Sequence, residues 1–248
     1  MRKKILLMAG HGDGDPGAVG CGYRESDLTR DFVNMMIPTL NYYADVTVFD
    51  MSKNPYKHLK ANKYDFKKYD YVFEVHFNAA VNDIDGDGKT TGCEILVHTT
   101  EKGVSVEEGI LKKISAFGFK NRGVKRVSNL HNMNMCKGKQ GVSYALLEVC
   151  FIDDKDDMDI YIANQGKLAR AVADAIGEGF GAMTVKEEYN MNRFSDIAGH
   201  YAEDEINELY DMGIVKGDGG GRFRPNENIK RADAAIMIRN AIRYITGK

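Results

Sequence analysis

The amino-acid sequence predicts an α/β fold, a mostly parallel twisted sheet with helices on both faces, followed by a small all-α domain. Over residues 1–180, short apolar runs alternate with stretches in which apolar residues recur every three to four positions. This alternation is typical of strands and amphipathic helices in turn. Beyond residue 193 the apolar patterns are helical only. We therefore predict a first domain over 1–181, a linker over 182–192 and a second domain over 193–248.

Each element is predicted from its own pattern. The apolar runs that are short enough for strands lie at 5–8, 46–49, 71–75, 94–97 and 144–149. Helical periodicity covers 28–40, 106–117 and an alanine-rich stretch at 160–180. In the second domain it covers 202–210 and 235–245, with a glycine-rich turn between them. Strands that alternate with helices favour a parallel sheet, because each helix can serve as the crossover between two strands.

The composition excludes several classes of protein. The 34 lysines and arginines nearly balance the 36 acidic residues, so no overall charge attracts the chain to nucleic acid or to an anionic membrane. The longest early apolar run, 5–9, is too short for a signal-peptide core or a membrane span. We therefore expect synthesis in the cytoplasm without a signal peptide, and no membrane insertion. The four cysteines lie far apart without CxxC spacing, so we expect reduced thiols.

Four polar side chains lie where predicted strands end or the first helix begins. His11 follows the first strand, His76 closes the third and Glu148 lies near the end of the fifth. Glu25 lies at the start of the first helix. Because ligands of such sheets bind outside the carboxyl ends of the strands, these groups are expected to meet. Two histidines and a carboxylate can hold a catalytic zinc ion with an open position for water, and a second carboxylate can act as the general base.

Each of these residues also has a simpler interpretation. A histidine after a strand is more often a hydrogen-bonded packing residue than a metal ligand, and Glu25 could only complement the dipole of its helix. Glu148 is harder to explain by packing, because an unpaired carboxylate in an apolar strand is strongly unfavourable. The positions alone leave a catalytic metal site and ordinary packing as open alternatives.

Short motifs around these residues favour the metal site over ordinary packing. In chain order they are GHGDGDPGAVG from Gly10, YRES around Glu25, HFNAA from His76, GCE from Gly92, NRGVKR from Asn121 and LLEVCFIDD from Leu146. Together they resemble the zinc-dependent N-acetylmuramoyl-L-alanine amidases known as the amidase 3 family, over roughly residues 4–180. The sequence departs from the family pattern after Glu148, where the family usually continues with Gly-Phe and then an Asn.

The resemblance implies a function and a set of site residues. His11, Glu25 and His76 would bind one zinc ion per catalytic domain, and Glu148 would be the catalytic glutamate. The substrate would be peptidoglycan, cut at the amide between N-acetylmuramic acid and L-alanine. The remote alternative is a nucleotide-binding enzyme, because Gly12, Gly14 and Gly17 match G-x-G-x-x-G after a strand. Pro16 and the later glycines indicate a loop there, however, rather than the start of a helix.

Two further groups in the first domain could bind ligands. Arg122 and Lys125 could contact carboxylates of the stem peptide, or could form a solvated basic loop. The spacing of a calcium-binding loop is matched without exception by Asp83, Asp85, Asp87 and Glu94. Its flanking elements are predicted strands rather than the helices of an EF-hand. An acidic turn without metal is therefore the favoured interpretation, and calcium binding is the alternative.

The segment from Phe194 reads FSDIAGHYAEDEINELYDMGIVKGDGGGRFRPNENIKRADAAIMI. It resembles a single S-layer homology repeat, although Tyr201 replaces the preferred Trp and KRAD replaces Thr-Arg-Ala-Glu. The resemblance implies binding to an anionic secondary polymer of the cell wall, with Arg231 as the anion contact and Arg222 or Arg224 as helpers. Surface arginines on an interaction helix are the alternative.

The two resemblances together imply a phage or prophage endolysin that reaches the wall after release from the cytoplasm. A host autolysin of sporulation or mother-cell lysis is the close alternative, and a metal-free wall-binding protein is a remote one. S-layer homology domains generally contain three repeats, and a lone repeat of about 55 residues buries little core. Its last helix carries an apolar stripe of Ala235, Ile238, Ile242 and Ile245, with Ile236 and Met237 beside it, which is more apolar surface than one partner helix covers. We therefore predict self-association through residues 193–248, as a trimer or, second, as a dimer.

Overall fold

The computed structural model describes residues 2–181 and 194–246, with side chains up to residue 244. The chain divides into two compact units, Met1–Ala182 and Met183–Lys248. The predicted linker over 182–192 lies outside the described residues. Within the described part, no helix combines the length and the apolar character needed to cross a membrane. The four cysteines are free thiols, as expected.

The first unit is built on one six-stranded sheet. Its strands are β1 (Lys3–Ala9), β4 (Ala44–Val48), β5 (Tyr71–Asn78), β6 (Cys93–His98), β7 (Asn121–Val127) and β8 (Ser143–Phe151), and β2 (Val19–Gly20) and β3 (Tyr23–Arg24) form a separate hairpin. The strand order is β4-β1-β5-β8-β6-β7. Neighbouring strands are parallel except for β8 and β6, which are antiparallel. The predicted mostly parallel sheet is confirmed.

Helices cover both faces of this sheet. They are α1 (Glu25–Tyr43), α2 (Pro55–Ala61), α3 (Ser105–Ser115), α4 (His131–Met133), which continues as a π-helical turn (Asn134–Gly138), and α5 (Lys155–Gly179). Successive side chains of a strand point to opposite faces. Helices α1, α3 and α5 pack on the face that contains Ile5 and Leu147, whereas α2 and α4 pack on the face that contains Leu6 and Leu146. Burial on both faces explains why the strands read as continuous apolar runs.

Strand β7 is the main departure from the sequence prediction. No strand was predicted over 121–127, and a basic loop was one interpretation of Arg122 and Lys125. Strand β7 instead forms the edge of the sheet beside β6. An edge strand can be polar, so β7 has no apolar run and its periodicity is weak. Because β6 runs antiparallel to β8, Glu94 near the start of β6 lies opposite Glu148 near the end of β8.

The second unit contains two described helices, α6 (Glu203–Asp211) and α7 (Arg231–Thr246), with a glycine-rich turn between them. Among its described residues, the buried apolar ones are few: Ile197, Ile206, Ile214 and Val215. Phe194 packs against the rings of Tyr210 and Phe223. The small number of buried side chains is consistent with the modest core expected of so short a domain.

Helix α7 exposes part of the apolar stripe that the sequence indicated. Ile236, Ile238 and Ile242 are 48%, 63% and 55% exposed. The side chain of Ile245, which completes the predicted stripe, lies outside the described residues. Exposed apolar side chains on one helix are a feature of interaction surfaces.

Candidate active site

Four predicted residues come together where β1, β5 and β8 end. His11 follows β1 within two residues, and His76 pairs with Glu148 in the register of β5 and β8. Glu25 is the first residue of α1. Parallel strands bring their carboxyl ends to one edge of the sheet, so residues that are distant in sequence become neighbours.

Glu25 links the two histidines. Its Oε2 atom lies 3.1 Å from His11 Nε2, and its Oε1 atom lies 2.8 Å from His76 Nδ1. The same carboxylate accepts hydrogen bonds from the backbone N–H groups of Ala18 (2.9 Å) and Phe77 (3.1 Å). One donor atom from each of the three side chains lies within 4.8 Å of the other two. The three side chains therefore form one compact set of potential metal ligands.

The loop between β1 and α1 packs tightly against this set. Gly17 has a φ of 67°, in the left-handed region that glycine adopts readily. A Cβ atom at Gly17 would lie 2.6 Å from Glu25 Oε2 and 2.8 Å from His11 Cδ2. The nucleotide-binding alternative requires the third glycine of the motif to lie within a helix. Helix α1 begins only at Glu25, so that alternative, based on Gly12, Gly14 and Gly17, is wrong.

Each histidine also contacts a second carboxylate through its other ring nitrogen. His11 Nδ1 lies 3.0 Å from Asp15 Oδ2, and His76 Nε2 lies 3.1 Å from Glu74 Oε1. An imidazole N–H that points at a carboxylate fixes the tautomer of the ring and leaves the opposite nitrogen able to bind a metal. His11 Nε2 and His76 Nδ1 are therefore the candidate ligand atoms.

The cluster shifts the pKa values of its members. Burial favours the neutral form of Glu25, but hydrogen bonds from the two histidines outweigh it and hold the pKa of the Glu25 carboxyl well below its usual range. Burial by itself lowers the pKa of both imidazoles. Contact with Glu25 nevertheless raises the pKa of His11, and contact with Glu25 and Glu74 raises that of His76 strongly. Glu25 is thus ionised at neutral pH, as a metal ligand must be.

Glu148 differs from the other carboxylates of the cluster. Its Oε2 atom is buried and has no hydrogen-bond partner among the described residues. Burial raises the pKa of Glu148 to about 7, and the nearby charge of His76 only partly opposes this rise. A carboxyl group with a pKa near neutrality can accept a proton and release it again, which is what a general base and acid must do.

The residues present fit a zinc ion. Two imidazole nitrogens and one carboxylate oxygen form a known three-ligand set of catalytic zinc sites. The ring orientation is set in advance by Asp15 and Glu74, and the unpartnered oxygen of Glu148 belongs to the strand beside His76. Calcium and magnesium prefer oxygen ligands throughout, so the two nitrogens favour zinc.

Arg122 and Lys125 bind a carboxylate of the chain itself. Arg122 Nε and Lys125 Nζ each lie 2.5 Å from Glu94 Oε2, and Asn78 Nδ2 lies 3.2 Å from Glu94 Oε1. These contacts outweigh burial and lower the pKa of Glu94. Glu94 lies opposite Glu148 in the sheet, so these three side chains form a rim beside the site. One carboxylate balances only one of the two cations, which leaves this rim with excess positive charge.

The structure does not bring the four predicted calcium ligands together. Glu94 instead contacts Arg122, Lys125 and Asn78, because it belongs to β6 and not to the loop before that strand. Asp83 lies instead with Asp154 and Asp156, whose carboxylates are close to its own. Oxygens of Asp83 and Asp154 accept backbone hydrogen bonds, whereas the predicted ligands Asp85 and Asp87 are exposed. The predicted set of Asp83, Asp85, Asp87 and Glu94 is therefore not assembled, and Asp83 belongs instead to a different group of potential metal ligands.

In the second unit, the three arginines predicted to bind a wall polymer differ in their surroundings. Arg224 Nε lies 2.9 Å from Asp218 Oδ2, and Arg224 Nη1 lies 3.4 Å from Glu227 Oε2. The charge of Arg224 is therefore largely balanced within the turn. Arg222 and Arg231 are exposed, and they are the stronger candidates for binding an anion.

The residues that contact the second ring nitrogen of each histidine were not predicted from the sequence. Asp15 lies in the glycine-rich motif but was not recognised as a partner of His11. Glu74 lies in an apolar strand, so the argument that singled out Glu148 applies to it equally and could have found it. Tyr144 and Asn132, which contact Glu74, have no local signal, because their role depends on contacts between distant segments.

Comparisons with known proteins identify the family of each part of the chain. A family model for N-acetylmuramoyl-L-alanine amidase matches residues 5–178, and a model for the S-layer homology domain matches residues 193–235. Probable autolysin PH of Staphylococcus aureus is 28% identical over 84% of this chain and 46% of its own length. The endolysin of Bacillus phage SPP1 is 31% identical over 63% of this chain and 58% of its own length. The chain thus spans about half the length of these two relatives.

Solved structures support the fold. A Neisseria meningitidis protein assigned as an N-acetylmuramoyl-L-alanine amidase has a TM-score of 0.58 and 29% identity, covering 74% of this chain and 98% of its own. The catalytic domain of the CD27L endolysin, which targets Clostridia difficile, has a TM-score of 0.55 and 24% identity, covering 70% and 96%. The family model matches well over half of the residues. This chain therefore belongs to the N-acetylmuramoyl-L-alanine amidase family, and it carries an S-layer homology domain after the family's domain.

Proposed function

We propose that this chain hydrolyses the amide between N-acetylmuramic acid and L-alanine in peptidoglycan, with a zinc ion held by His11, Glu25 and His76. One observation carries the proposal. The buried, unpartnered Oε2 atom of Glu148 belongs to the strand next to His76, beside a compact set of three ligands. Family membership and the named activities of the relatives support the choice of substrate.

The residues of the site have distinct roles in this reaction. When bound, zinc would acidify a water molecule and polarise the scissile carbonyl. Glu148 takes a proton from the attacking water and passes it to the leaving amine of L-alanine. Its raised pKa favours both transfers near neutral pH. Asp15 and Glu74 hold the two imidazoles in the orientation that presents one nitrogen each.

The positive rim formed by Arg122 and Lys125 is proposed to attract carboxylates of the stem peptide. Glu94 neutralises only one of the two cations, and the side chain of Lys125 is 43% exposed. The excess charge lies beside the general base, where the peptide part of the substrate would be held. Glu94 would keep both cations in place between turnovers.

The activity is tested on purified full-length protein and purified peptidoglycan. We expect new free amino groups without new reducing ends, about one zinc ion per chain, and loss of lysis on chelation with recovery on zinc addition. His11→Ala should abolish stoichiometric zinc, whereas His58→Ala, which changes a histidine on α2, should retain it. Activity that survives exhaustive chelation, or release of reducing ends instead of amines, would contradict the proposal.

We propose that the second unit binds an anionic polymer of the cell wall through Arg222 and Arg231. The S-layer homology match supports this, as does 40% identity over 52 residues to a surface-layer 125 kDa protein of Lysinibacillus sphaericus.

We also propose self-association through this unit, as a trimer or a dimer, because Ile236, Ile238 and Ile242 leave apolar surface on α7. Light scattering that shows only monomer at micromolar concentration would contradict self-association.

We propose an endolysin type of action, with a host autolysin as the alternative, since both kinds of protein are among the relatives. An endolysin made in the cytoplasm acts on the wall only after the membrane is breached. Expression in a bacterial host should therefore leave cells intact until the membrane is permeabilised, and lysis should then follow rapidly. Lysis without permeabilisation would favour the autolysin.

A further inference from the structure

Glu74 is a carboxylate in an unfavourable place. It lies within β5 and is only 2% exposed. Alternation along the strand places it on the same face as Val72 and His76, the face covered by α2 and α4. A buried carboxylate at such a position destabilises the fold unless hydrogen bonds compensate for the water it has lost.

Three side chains compensate the charge of Glu74. Tyr144 on β8 donates its hydroxyl to Oε2, and Asn132 Nδ2 on α4 lies 3.1 Å from both oxygens. His76 Nε2 lies 3.1 Å from Oε1. The Glu74 carboxylate is therefore held from two other elements while it contacts the histidine two residues along its own strand.

The corresponding contact of His11 is built differently. Asp15 lies on a loop, its side chain is 37% exposed, and Asn54 Nδ2 is 3.0 Å from the same oxygen that contacts His11. Water can therefore reach Asp15 and compete for its hydrogen bonds. The contact behind His76 is enclosed and has its partners fixed by the sheet, so His76 is the more rigidly oriented of the two imidazoles.

We infer that Glu74 is a positioning residue of the metal site: it holds the Nε2–H of His76 and thereby directs Nδ1 of that ring to the metal. Tyr144 and Asn132 act through Glu74 by fixing its carboxylate. This inference rests on the zinc site proposed above. Groups that orient a ligating histidine typically contribute a factor of about 10 to 100 in metal affinity.

A purely structural role for Glu74 is the competing explanation, and the chain offers a matched control. Glu107 on α3 is also buried, at 4% exposed, and Tyr71 donates its hydroxyl to it (2.7 Å). Tyr71 begins β5, whereas His76 lies near the end of that strand. The pair thus reproduces the tyrosine–carboxylate chemistry at the opposite end of the sheet. Loss of either carboxylate should lower stability, but only the loss of Glu74 should weaken metal binding.

The test is the zinc dissociation constant of full-length protein, measured by competition with a chromophoric chelator after removal of metal. We expect Glu74→Gln to raise the constant about 10- to 100-fold and Glu107→Gln to leave it within about twofold. A folded Glu74→Gln protein that binds zinc like the wild type would overturn the inference. If the wild type itself binds no zinc, the proposed function fails instead.

A second pair of variants and one spectrum keep the test decisive if Glu74→Gln does not fold. Tyr144→Phe keeps the carboxylate but removes one of its donors, so it should weaken zinc binding in the same direction, unlike Tyr71→Phe. Long-range proton–nitrogen spectra of the zinc-loaded wild type should show the His76 proton on Nε2. A proton on Nδ1, with the metal on Nε2, would refute the inference.

Discussion

The two units of this chain place the same kinds of charged side chain in opposite environments. In the first unit, Glu25, Glu74 and Glu94 are buried, and each contacts at least one polar side chain from a distant part of the chain. In the second, Asp218 and Arg224 form ion pairs at the surface, between residues that are close in sequence. Ion pairs at the surface add little to stability, whereas a buried charge must be compensated.

This difference explains why the active site can be recognised from the burial and hydrogen bonding of its side chains. Burial makes a missing partner conspicuous. Several buried polar atoms lack a hydrogen bond among the described residues, but Glu148 Oε2 belongs to the residue paired with His76 in the sheet, so it is the candidate for taking up a proton at this site. Exposed charges in the second unit give no such signal, because water satisfies them. Predictions about the first unit therefore concern chemistry, and those about the second concern packing and weak binding.

The largest effect is expected from Glu148→Gln, which removes the proposed general base but none of the proposed metal ligands. Turnover should fall by a factor of about 10² to 10⁴, while zinc content per chain stays unchanged. Amine release from peptidoglycan and metal analysis measure the two quantities. Glu178→Gln, at a partly exposed ion pair with Lys113 on the same domain, serves as the control. Loss of zinc from Glu148→Gln would instead make Glu148 a ligand.

The pH profile should reveal the same group. Burial raises the pKa of Glu148 from 4.5 to about 7, and the base works only when it is deprotonated. Activity should therefore be present above this pKa and fall about tenfold for each pH unit below it. A bound cation favours the carboxylate and would move the midpoint downward. A wild-type profile that is flat down to pH 4.5 would contradict this assignment, and residual activity of Glu148→Gln should lack this limb.

A packing change in the second unit should act on stability alone. A Cβ atom at Gly217 would collide with the ring of Phe194 and lie 2.6 Å from the carbonyl oxygen of Arg222. Gly217→Ala should lower the unfolding free energy of that unit by about 1–3 kcal/mol, as followed by calorimetry. At Gly220 the nearest group is the flexible carboxylate of Asp218, at 3.3 Å, so Gly220→Ala is the control. Similar losses in both variants would argue against the collision.

The smallest effect is expected at the exposed arginines. Replacing Arg222 or Arg231 by alanine should weaken binding to purified cell walls by about two- to fivefold each, as is typical of exposed charges, and added salt should reduce the difference. Arg224→Ala should have less effect on binding, because Asp218 and Glu227 already balance that charge. A larger loss for Arg224 than for the other two would reverse this ranking.

The sequence by itself determined the fold class and the chemistry-bearing residues. The runs at 5–8, 71–75 and 144–149 each lie within an observed strand, because burial on both faces selects apolar residues continuously. The residue types of His11, Glu25, His76 and Glu148, with the motifs around them, indicated a zinc hydrolase before any contact was known. Edge strand β7 was missed, since its polar residues carry no such pattern.

Only the tertiary structure decided which atoms meet. The Glu74 carboxylate and the Tyr144 hydroxyl are 70 positions apart, and Arg122 and Glu94 are 28 apart. Local periodicity reports which face of an element is buried, but not which side chain of a distant segment lies against it. The candidate ligand atoms, Nε2 on His11 and Nδ1 on His76, are inferred from the contacts of the other ring nitrogens with Asp15 and Glu74 and could not be read from either histidine. Glu94 does not join the other predicted calcium ligands for the same reason. The pairing of β6 with β7 brings Arg122 and Lys125 to its carboxylate.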